Sequence, residues 1–216
     1  MRSRFLDVLA GDQQRLLLGR CTRARYRSGA FVFHAGEAGD TLHLIAKGRV
    51  AIQAGGWGAE PVTLAILGSG EVFGELSLLG EPRRTATVKA LEPTETLILR
   101  SADFHQLRAD EPKVNDFLIG ILTAQIRRLT QQVVENAEVP AATRVYRQLL
   151  KMAEIFGATE PGRDMPVTQD QVASMASVGL RLTNKVIADA RTAGLLATGR
   201  GRITVLDYQG LSRRAR

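Results

Sequence analysis

Between Tyr26 and Leu99 the sequence alternates short apolar runs with turn-forming residues, and this pattern limits the fold more than any other feature. The apolar runs are three to five residues long and lie at 31–33, 42–45, 50–52, 62–66, 86–88 and 95–99. Glycine-rich breakers separate them, at 36–40, 47–48, 55–58, 68–70 and 80–82. Short strands at this spacing predict a β sandwich or barrel.

Helical spacing flanks this strand-rich region on both sides. Residues 1–20 are predicted to be helical from their apolar positions, which are Phe5, Val8, Leu9, Leu16 and Leu17. Residues 111–138 are predicted to form one long helix, with Pro112 tolerated in its first turn. The pair Val139-Pro140 ends this helix and is the predicted hinge.

The long helix carries two apolar faces. One face steps by three and four residues, which is typical of a coiled-coil seam, and consists of Ile119, Leu122, Ile126, Leu129 and Val133. The other face, suited to packing on the sheet, consists of Val114, Phe117, Leu118 and Ile121. We expect the seam to pair with a second copy of the chain. The alternative is a helix buried within a monomer.

Charge is concentrated toward the C-terminus. The chain carries a formal net charge of +7 over 216 residues; residues 1–136 hold 17 basic and 15 acidic side chains, whereas 137–216 hold 12 and 7. A basic block of this kind predicts a polyanion partner. The alternative is a solvated basic face.

The remaining composition excludes several classes of protein. The single cysteine, Cys21, excludes a disulfide framework and a four-cysteine zinc or iron–sulfur site. No apolar run approaches the roughly 20 residues of a membrane span. Residues 1–10 are too charged for a signal peptide. We therefore expect a cytoplasmic protein.

A helix-turn-helix pattern lies in the basic block. Thr168 and Gln171 fit a capping box at the start of one helix, and 177–179 can form a tight turn. A second helix is predicted from Leu180 to about Ala193. We expect it to bury Leu182, Val186 and Ile187.

The second helix of this pattern is predicted to expose Arg181, Asn184 and Lys185 on one face. Arginine and asparagine side chains make bidentate contacts with base edges in the DNA major groove, and lysine reaches guanine or phosphate. The following segment, 194–206, resembles a β wing whose Arg200 and Arg202 suit phosphate contact. These features favour DNA binding over a structural helical hairpin.

The segment 73–88 has the residue types of an anion cradle. Gly74 permits unusual backbone angles and close approach of a ligand, and backbone amides there can donate to phosphate. Arg84 offers a charge-assisted fork and Thr85 a hydroxyl donor, while Glu75 suits a ribose hydroxyl. The alternative is a surface turn with a Glu–Arg pair.

The chain resembles the cyclic-AMP receptor protein/fumarate–nitrate reductase regulator family of bacterial transcription factors over nearly its whole length. The resemblance is carried by Gly36-Glu-Ala-Gly-Asp40 with Leu42-His-Leu-Ile and Lys47-Gly48-Arg-Val, by Phe73-Gly-Glu-Leu with Arg84-Thr-Ala, by the long helix, and by the helix-turn-helix with its wing. It implies an α+β protein with a jelly-roll sensor domain in 1–110, a dimerisation helix in 111–138 and a winged helix-turn-helix domain in 139–216.

The resemblance also implies a function and site residues. The effector is a cyclic nucleotide, cAMP or cGMP; Arg84 and Thr85 hold its cyclic phosphate, Glu75 its ribose, and Gly74 and Leu76 contribute backbone groups. The positions that face adenine in the family's cAMP receptors fall on Leu129 and Thr130, of which Thr130 carries a hydroxyl, or on Gln131 or Gln132 if the register shifts. The DNA-binding set is Thr168, Arg181, Asn184, Lys185, Arg200 and Arg202. The implied partners are double-stranded DNA, a second copy of the chain and RNA polymerase.

Three other functions compete with this interpretation. A jelly-roll metal enzyme needs clustered histidine and carboxylate ligands, whereas His34, His43 and His105 are far apart in the sequence, so we expect no metal, no haem and no catalysis. A regulatory subunit of another enzyme would not need the basic helix-turn-helix. A ligand-independent regulator with a vestigial cradle remains open.

Overall fold

The computed structural model describes residues 6–7, 9–55, 61–81 and 83–216. The chain divides into two compact units, one of 1–59 with 67–129 and the other of 60–66 with 130–216. The predicted helical positions Phe5 and Val8 lie outside the described residues. None of the helices in the described part is long and apolar enough to cross a membrane.

The described residues between Thr22 and Arg100 form eight strands in two antiparallel sheets, which confirms the jelly-roll prediction. One sheet has the order β1-β8-β3-β6 and the other β2-β7-β4-β5. The strands are β1 Thr22–Tyr26, β2 Phe31–Phe33, β3 Thr41–Lys47, β4 Val50–Ala54, β5 Val62–Leu67, β6 Val72–Phe73, β7 Thr87–Ala90 and β8 Thr94–Arg100.

Each predicted apolar run overlaps one of these strands, whereas β1 and β6 were not predicted. The sequence of β1, Thr-Arg-Ala-Arg-Tyr, has no apolar alternation, because the strand lies at a sheet edge with much of its surface in solvent. Its pairing with β8, from Thr22 opposite Ile98 to Tyr26 opposite Thr94, defines it as a strand. β6 is only two residues long.

Three helices complete the first core: α1 Gly11–Gly19, α2 Ser101–Asp110 and α3 Val114–Glu138. The predicted sheet-facing residues of α3 are all buried, namely Val114, Phe117, Leu118 and Ile121, and they pack with Leu42, Leu99 and Phe104. α3 begins at Val114 rather than at 111, because residues 112–113 form a turn after α2.

The predicted seam of α3 is largely bare. Ile119, Ile126, Leu129 and Val133 are 52–67% exposed, and Leu122 packs partly against the core of the first unit. A row of large apolar side chains on one helix face normally has a partner surface.

The second unit is a small helical domain with a three-stranded sheet of order β10-β11-β9. Its elements are α4 Ala141–Phe156, β9 Arg163–Met165, α5 Gln169–Ala176, α6 Leu180–Thr192, β10 Leu196–Gly199, β11 Arg202–Val205 and α7 Tyr208–Arg214. The core includes Leu149, Met152, Ile187 and Leu211. The helix-turn-helix and the wing are confirmed.

Two expectations for this unit were wrong. Glycine and proline residues in 157–166 predict a loop from the sequence, but this segment contains strand β9, which pairs with β11. Leu182, predicted to be buried, is 37% exposed, and Thr183 is buried in its place with its Oγ1 donating to Gly179 O at 3.3 Å. The buried positions of α6 are 183, 186, 187 and 190, a helical repeat that leaves position 182 outside it.

Candidate functional site

Arg84 lies buried in the loop before β7, and most of its donors bond to the protein itself. Its Nη1 donates to Thr41 O at 2.7 Å and to Ser77 Oγ at 2.9 Å, and its Nη2 donates to Thr41 Oγ1 at 2.6 Å. The guanidinium lies 4.0 Å above the ring of Phe33. Burial lowers the pKa of Arg84, but a guanidinium stays charged at neutral pH.

The Nε atom of Arg84 has no partner. A guanidinium has five N–H groups, and the bonds to Thr41 and Ser77 use three of them. Within the described parts of the chain, this Nε is the one fully buried side-chain nitrogen or oxygen without a hydrogen bond. Leaving a charged donor unpaired is costly, and an anion would satisfy it. The arginine therefore fits a phosphate ligand.

Two glycines allow the backbone to approach this guanidinium closely. A Cβ at Gly39 would overlap the Nε, Cδ and Cζ atoms of Arg84. Gly74 has φ +78°, and a Cβ there would lie 2.8 Å from Arg84 Nη1 and 2.9 Å from Thr41 O. The close approach to Arg84 at both positions is possible because glycine has no side chain. Gly74 also needs the left-handed backbone conformation that glycine tolerates.

Glu75 begins the 3₁₀ helix Glu75–Leu79 and is buried. Burial raises the pKa of its carboxyl, while a hydrogen bond with Gln125 and the charges of Arg128 and Arg84 act to lower it. Gln125 and Arg128 belong to α3. Neither residue was predicted from the sequence, because only the apolar faces of this helix and its positions 129–132 pointed to a partner or a ligand.

The structure brings Gly74, Glu75 and Arg84 together as predicted. Leu76 is half-buried in the 3₁₀ helix, and Thr85 is exposed beside Arg84. Thr130 is exposed on the part of α3 that belongs to the second unit. Its role stays a prediction.

The histidines do not form a cluster. His34 lies against Phe31 on β2, His43 is buried in β3, and His105 lies beside Phe104 on α2. Over the residues that the structure describes, no group of three or more His, Cys, Asp or Glu side chains could hold a metal ion.

The predicted capping box starts the helix-turn-helix. The Thr168 side chain accepts from Gln171 N at 3.1 Å, and Gln171 Oε1 accepts from Thr168 N at 2.9 Å. α5 ends at Ser177, whose φ of +51° reverses the chain. Thr168 is therefore a structural cap, with an exposed side chain at the start of the motif.

α6 presents its predicted polar face to solvent. Arg181, Asn184 and Lys185 are all exposed. Inside the described ranges, no ion pair or side-chain hydrogen bond is recorded for any of the three. Unpaired cations and an amide on one helix face are the donors that base edges and phosphates accept.

The two arginines of the wing have different surroundings. Arg200 is exposed in the turn between β10 and β11. Arg202 starts β11 and forms an ion pair with Asp164 Oδ2 at 3.4 Å. This pair was not predicted, because the strand that carries Asp164, β9, was not predicted.

Comparisons with known proteins match both domains of the chain. A family model described as "Cyclic nucleotide-binding domain" matches residues 23–111, and one described as "Crp-like helix-turn-helix domain" matches residues 143–214. The chain is 30% identical to the "Cyclic AMP receptor protein" of Thermus thermophilus over 91% of its own length and 89% of that protein. The chain belongs to the CRP/FNR family of transcription regulators.

Further matches also extend over most of the chain. It is 28% identical to the "CRP-like cAMP-activated global transcriptional regulator" of Mycobacterium tuberculosis, over 87% of this chain and 85% of that one. The crystal structure of the Thermus thermophilus catabolite activator protein aligns with a TM-score of 0.56 at 29% identity, covering 99% of this chain and 98% of the other.

In this CRP/FNR chain, Arg144 of α4 ties three segments of the second unit together. Its Nη1 donates to Asn136 O at 2.8 Å near the end of α3. Its Nε donates to Ala176 O at 3.1 Å and its Nη2 to Ser177 O at 3.0 Å, at the turn of the helix-turn-helix. The end of α3 is therefore bonded directly to the DNA-binding motif.

Glu135 reinforces this connection. Its carboxylate accepts from Arg147 Nη1 at 3.3 Å and from Lys151 Nζ at 2.9 Å, both on α4. Arg147 in turn donates to Ala215 O near the C-terminus at 2.9 Å. The last turn of α3 is thus held to α4 by ion pairs as well as by Arg144.

Proposed function

We propose that this chain is a bacterial transcription regulator that binds a cyclic nucleotide, cAMP first and cGMP second, and acts as a homodimer on a two-fold DNA operator. The observation that carries the proposal is the buried Arg84, whose unpaired Nε lies in a cradle that also contains the buried carboxyl of Glu75. The names of the two relatives above support cAMP as the effector. The role places the protein in the cytoplasm, where the DNA is.

Each residue of the cradle would contact a different part of the nucleotide. Arg84 and Thr85 would hold the cyclic phosphate, because a charged N–H donor and a hydroxyl both suit an anion. Glu75 would accept from the ribose 2′-hydroxyl. Gly74 and Leu76 would contribute backbone groups, and Thr130 remains the proposed contact to the base. These roles require neither a metal nor a catalytic step.

The DNA-binding unit divides its contacts in a similar way. We propose that Arg181, Asn184 and Lys185 enter the major groove, because they share the exposed face of α6. Arg200, Arg202 and Thr168 would contact phosphates. RNA polymerase is the further proposed partner of the DNA-bound protein.

The exposed seam of α3 supports the dimer. Four large apolar side chains lie in solvent along one face, and covering them against the same face of a second copy removes that surface from water. We propose that residues 1–110 form the sensor domain, 111–138 the dimerisation helix and 139–216 the DNA-binding domain. The helix connects the two domains in the sequence and would form the interface with the second copy of the chain.

α3 also supplies a route for the signal. Near the middle of this helix, Gln125 and Arg128 interact with Glu75, so a ligand on Glu75 would change their partners. Near the end of the helix, Asn136 bonds Arg144, which holds the helix-turn-helix. A ligand shifts the equilibrium between the two conformations of the protein toward the DNA-competent one only if it binds that conformation more tightly than the other.

The first prediction tests the cradle by calorimetric titration with cAMP and cGMP. We expect Arg84→Ala to lose about 2–5 kcal/mol of binding free energy, the cost of removing one partner of a charge-assisted pair. Glu75→Ala should lose less, because it removes a ribose contact rather than the charge on phosphate. Arg84→Lys keeps the charge but not the fork, so we expect an intermediate loss.

Arg83→Ala is the matched control, because Arg83 is exposed and its guanidinium donates to Gly36 O. It removes a neighbouring cation without touching the cradle. Wild-type affinity in a folded Arg84→Ala protein would place the ligand elsewhere.

A ligand-independent regulator is the second candidate. The observation that favours it is that the protein itself already satisfies three N–H groups of Arg84, through Thr41 and Ser77. In that case calorimetric titration of the wild-type protein would show no binding of either nucleotide, and its affinity for DNA would not change in their presence.

A further inference from the structure

His43 on β3 lies beneath the cradle, within a chain of hydrogen-bonding side chains. Its Nε2 is 3.3 Å from Thr41 Oγ1, and its Nδ1 is 3.2 Å from Thr96 Oγ1. Thr41 Oγ1 accepts from Arg84 Nη2, and Thr96 forms a hydrogen bond with Tyr26. This series of hydrogen bonds therefore runs from Tyr26 on β1, through Thr96 on β8 and His43 on β3, to the guanidinium of Arg84.

We infer that His43 is a positioning residue for the ligand-binding arginine: it fixes the Thr41 hydroxyl, and through it the orientation of the Arg84 guanidinium. The inference rests on the proposed function, because it concerns how Arg84 is held ready for a phosphate. It adds a residue that does not itself contact the nucleotide.

The donor and acceptor roles along this series of hydrogen bonds follow from the bond to Arg84. Because the Thr41 hydroxyl oxygen accepts from Arg84, its own hydrogen is available to donate, and the acceptor beside it is His43 Nε2. We infer that the Thr41 hydroxyl donates to Nε2, which leaves Nε2 unprotonated and the proton on Nδ1, from where it is donated to Thr96. Each hydroxyl in the series thus has a defined role as donor or acceptor.

His43 remains neutral, as this arrangement requires. Burial and the charge of Arg84 lower the pKa of His43 to about 3. A protonated ring would turn both nitrogens into donors and place a second cation beside the guanidinium. The ring also stacks on Phe73, with centroids 4.9 Å apart, so its plane is fixed from one side as well as at its edges.

The orientation of Arg84 depends heavily on Thr41. Thr41 supplies acceptors to both Nη1 and Nη2, through its carbonyl and its hydroxyl. If the hydroxyl rotates away, Nη2 loses its partner, and only the Nη1 bonds to Thr41 O and Ser77 Oγ still orient the guanidinium. Side chains that orient the ligands of a metal ion typically contribute about 10-fold or more to metal affinity, and we expect a comparable effect on the arginine.

The test compares calorimetric cAMP affinities of the full-length protein and of matched variants. His43→Phe keeps a ring to stack on Phe73 but removes both nitrogens, and we expect it to bind cAMP about 10-fold more weakly. Thr96→Val breaks the same chain one residue further away and should weaken binding in the same direction. The control is Thr94→Val, since Thr94 is also buried on β8 but donates to Arg49 O and Glu92 O instead; we expect wild-type affinity.

Three further measurements separate positioning from a general loss of stability. In an Arg84→Lys background, His43→Phe should change the affinity by less than about 2-fold, because interacting positions are not additive. His43→Gln, which keeps a polar group near the position of Nε2, should recover part of the affinity. Nitrogen-15 spectra of the histidine ring should show the Nδ1–H tautomer.

Each outcome has a definite consequence. If wild type binds cAMP and folded His43→Phe and Thr96→Val bind it equally well, the positioning role is wrong while the proposed function stands. An Nε2–H tautomer, or equal losses in the Arg84→Lys background, would also overturn it. If folded wild type binds neither cAMP nor cGMP, the proposed function fails and this inference fails with it. If His43→Phe does not fold, Thr96→Val and His43→Gln decide the question.

Discussion

Arg84 serves the fold and the proposed ligand at the same time. Its bonds to Thr41 and Ser77 join β3, the 3₁₀ helix and the loop before β7, so its removal leaves buried acceptors without donors. A loss of nucleotide binding in Arg84→Ala therefore has to be measured together with thermal unfolding. Variants that move Arg84 without deleting it give a cleaner test.

The second prediction concerns Gly39, which has room for no side chain. Gly39→Ala would push the Arg84 side chain out of its position, because the added Cβ would overlap Nε. We expect cAMP affinity to fall about 10-fold or more in a calorimetric titration, by displacement of the phosphate-binding group. Gly68→Ala is the control, because the nearest atom to a Cβ there is Arg49 Cγ at 3.9 Å. Equal affinities for the two variants would contradict the role of Gly39.

The third prediction is a pH dependence of stability that His43 produces. The pKa of His43 falls from 6.5 to about 3 on folding, so between these values the unfolded chain binds the proton and the folded chain does not. Stability therefore decreases as the pH drops below 6.5. From pH 7.5 to 5.5 this contributes a loss of about 1 kcal/mol in the free energy of unfolding.

Denaturant unfolding of wild type and His43→Phe at both pH values measures this contribution. The raised pKa of Glu75 acts in the opposite direction, because the folded chain keeps that proton to higher pH, so the informative quantity is the difference between the two proteins. The same pH dependence in both would show that His43 does not titrate as proposed.

At the scale of a whole element, α3 is buried along one face in its first half and bare along the seam. Val114, Phe117 and Ile121 anchor it to the first core. Ile126 is 64% exposed, so it contributes little to the folding of the single chain. A change at Ile126 therefore reports on association rather than on folding.

The fourth prediction is that Ile126→Asp gives a folded monomer. A carboxylate at the centre of the seam would be desolvated in a dimer and would face its own copy. Light scattering at micromolar concentration measures the mass, and circular dichroism checks the fold. Gln131→Asp places the same charge on the exposed opposite side of α3 and should remain dimeric. A dimer that persists in Ile126→Asp would remove the seam as the interface.

At the scale of the whole molecule, the proposal requires two recognition helices about 34 Å apart to enter successive major grooves of a two-fold operator. Within the second unit, Arg144 bonds both the last turn of α3 and the turn of the helix-turn-helix, and Glu135 holds the same turn of α3 to α4. Movement of that turn would therefore be passed to the DNA-binding motif rather than absorbed at Pro140.

The fifth prediction is that saturating cAMP raises affinity for a palindromic operator by roughly 5–150-fold, a typical coupling of 1–3 kcal/mol. Fluorescence anisotropy at fixed salt, with and without nucleotide, measures it. Affinity should also fall steeply with salt, because Lys and Arg side chains displace counterions from phosphates. Arg181→Ala should weaken binding under both conditions and leave the nucleotide effect in place. Identical titrations with and without nucleotide would favour the ligand-independent regulator.

Local sequence patterns were sufficient to predict several elements of the fold. The apolar runs from 31–33 to 95–99 became strands, the 3–4 spacing of 119–133 became one helix face, and Thr168 with Gln171 formed the predicted capping box. These depend on residues within a few positions of each other, where period and side-chain chemistry decide the outcome. The residue types of Gly74, Glu75 and Arg84 suggested an anion cradle, with a surface turn as the alternative, and the role of these residues in binding stays a prediction.

Tertiary structure decided the features that depend on distant residues. The edge strand β1 is defined by pairing with β8, some 70 residues later. Thr183 replaced Leu182 as a buried residue of α6 because the packing of the unit, rather than the hydrophobicity of the side chain, set which face points inward. Around Arg84, Thr41 is 43 positions away, and Gln125 of α3 lies further still along the chain from Glu75. Such contacts have no local period, so only the folded sheets and helices bring the partners of the guanidinium together.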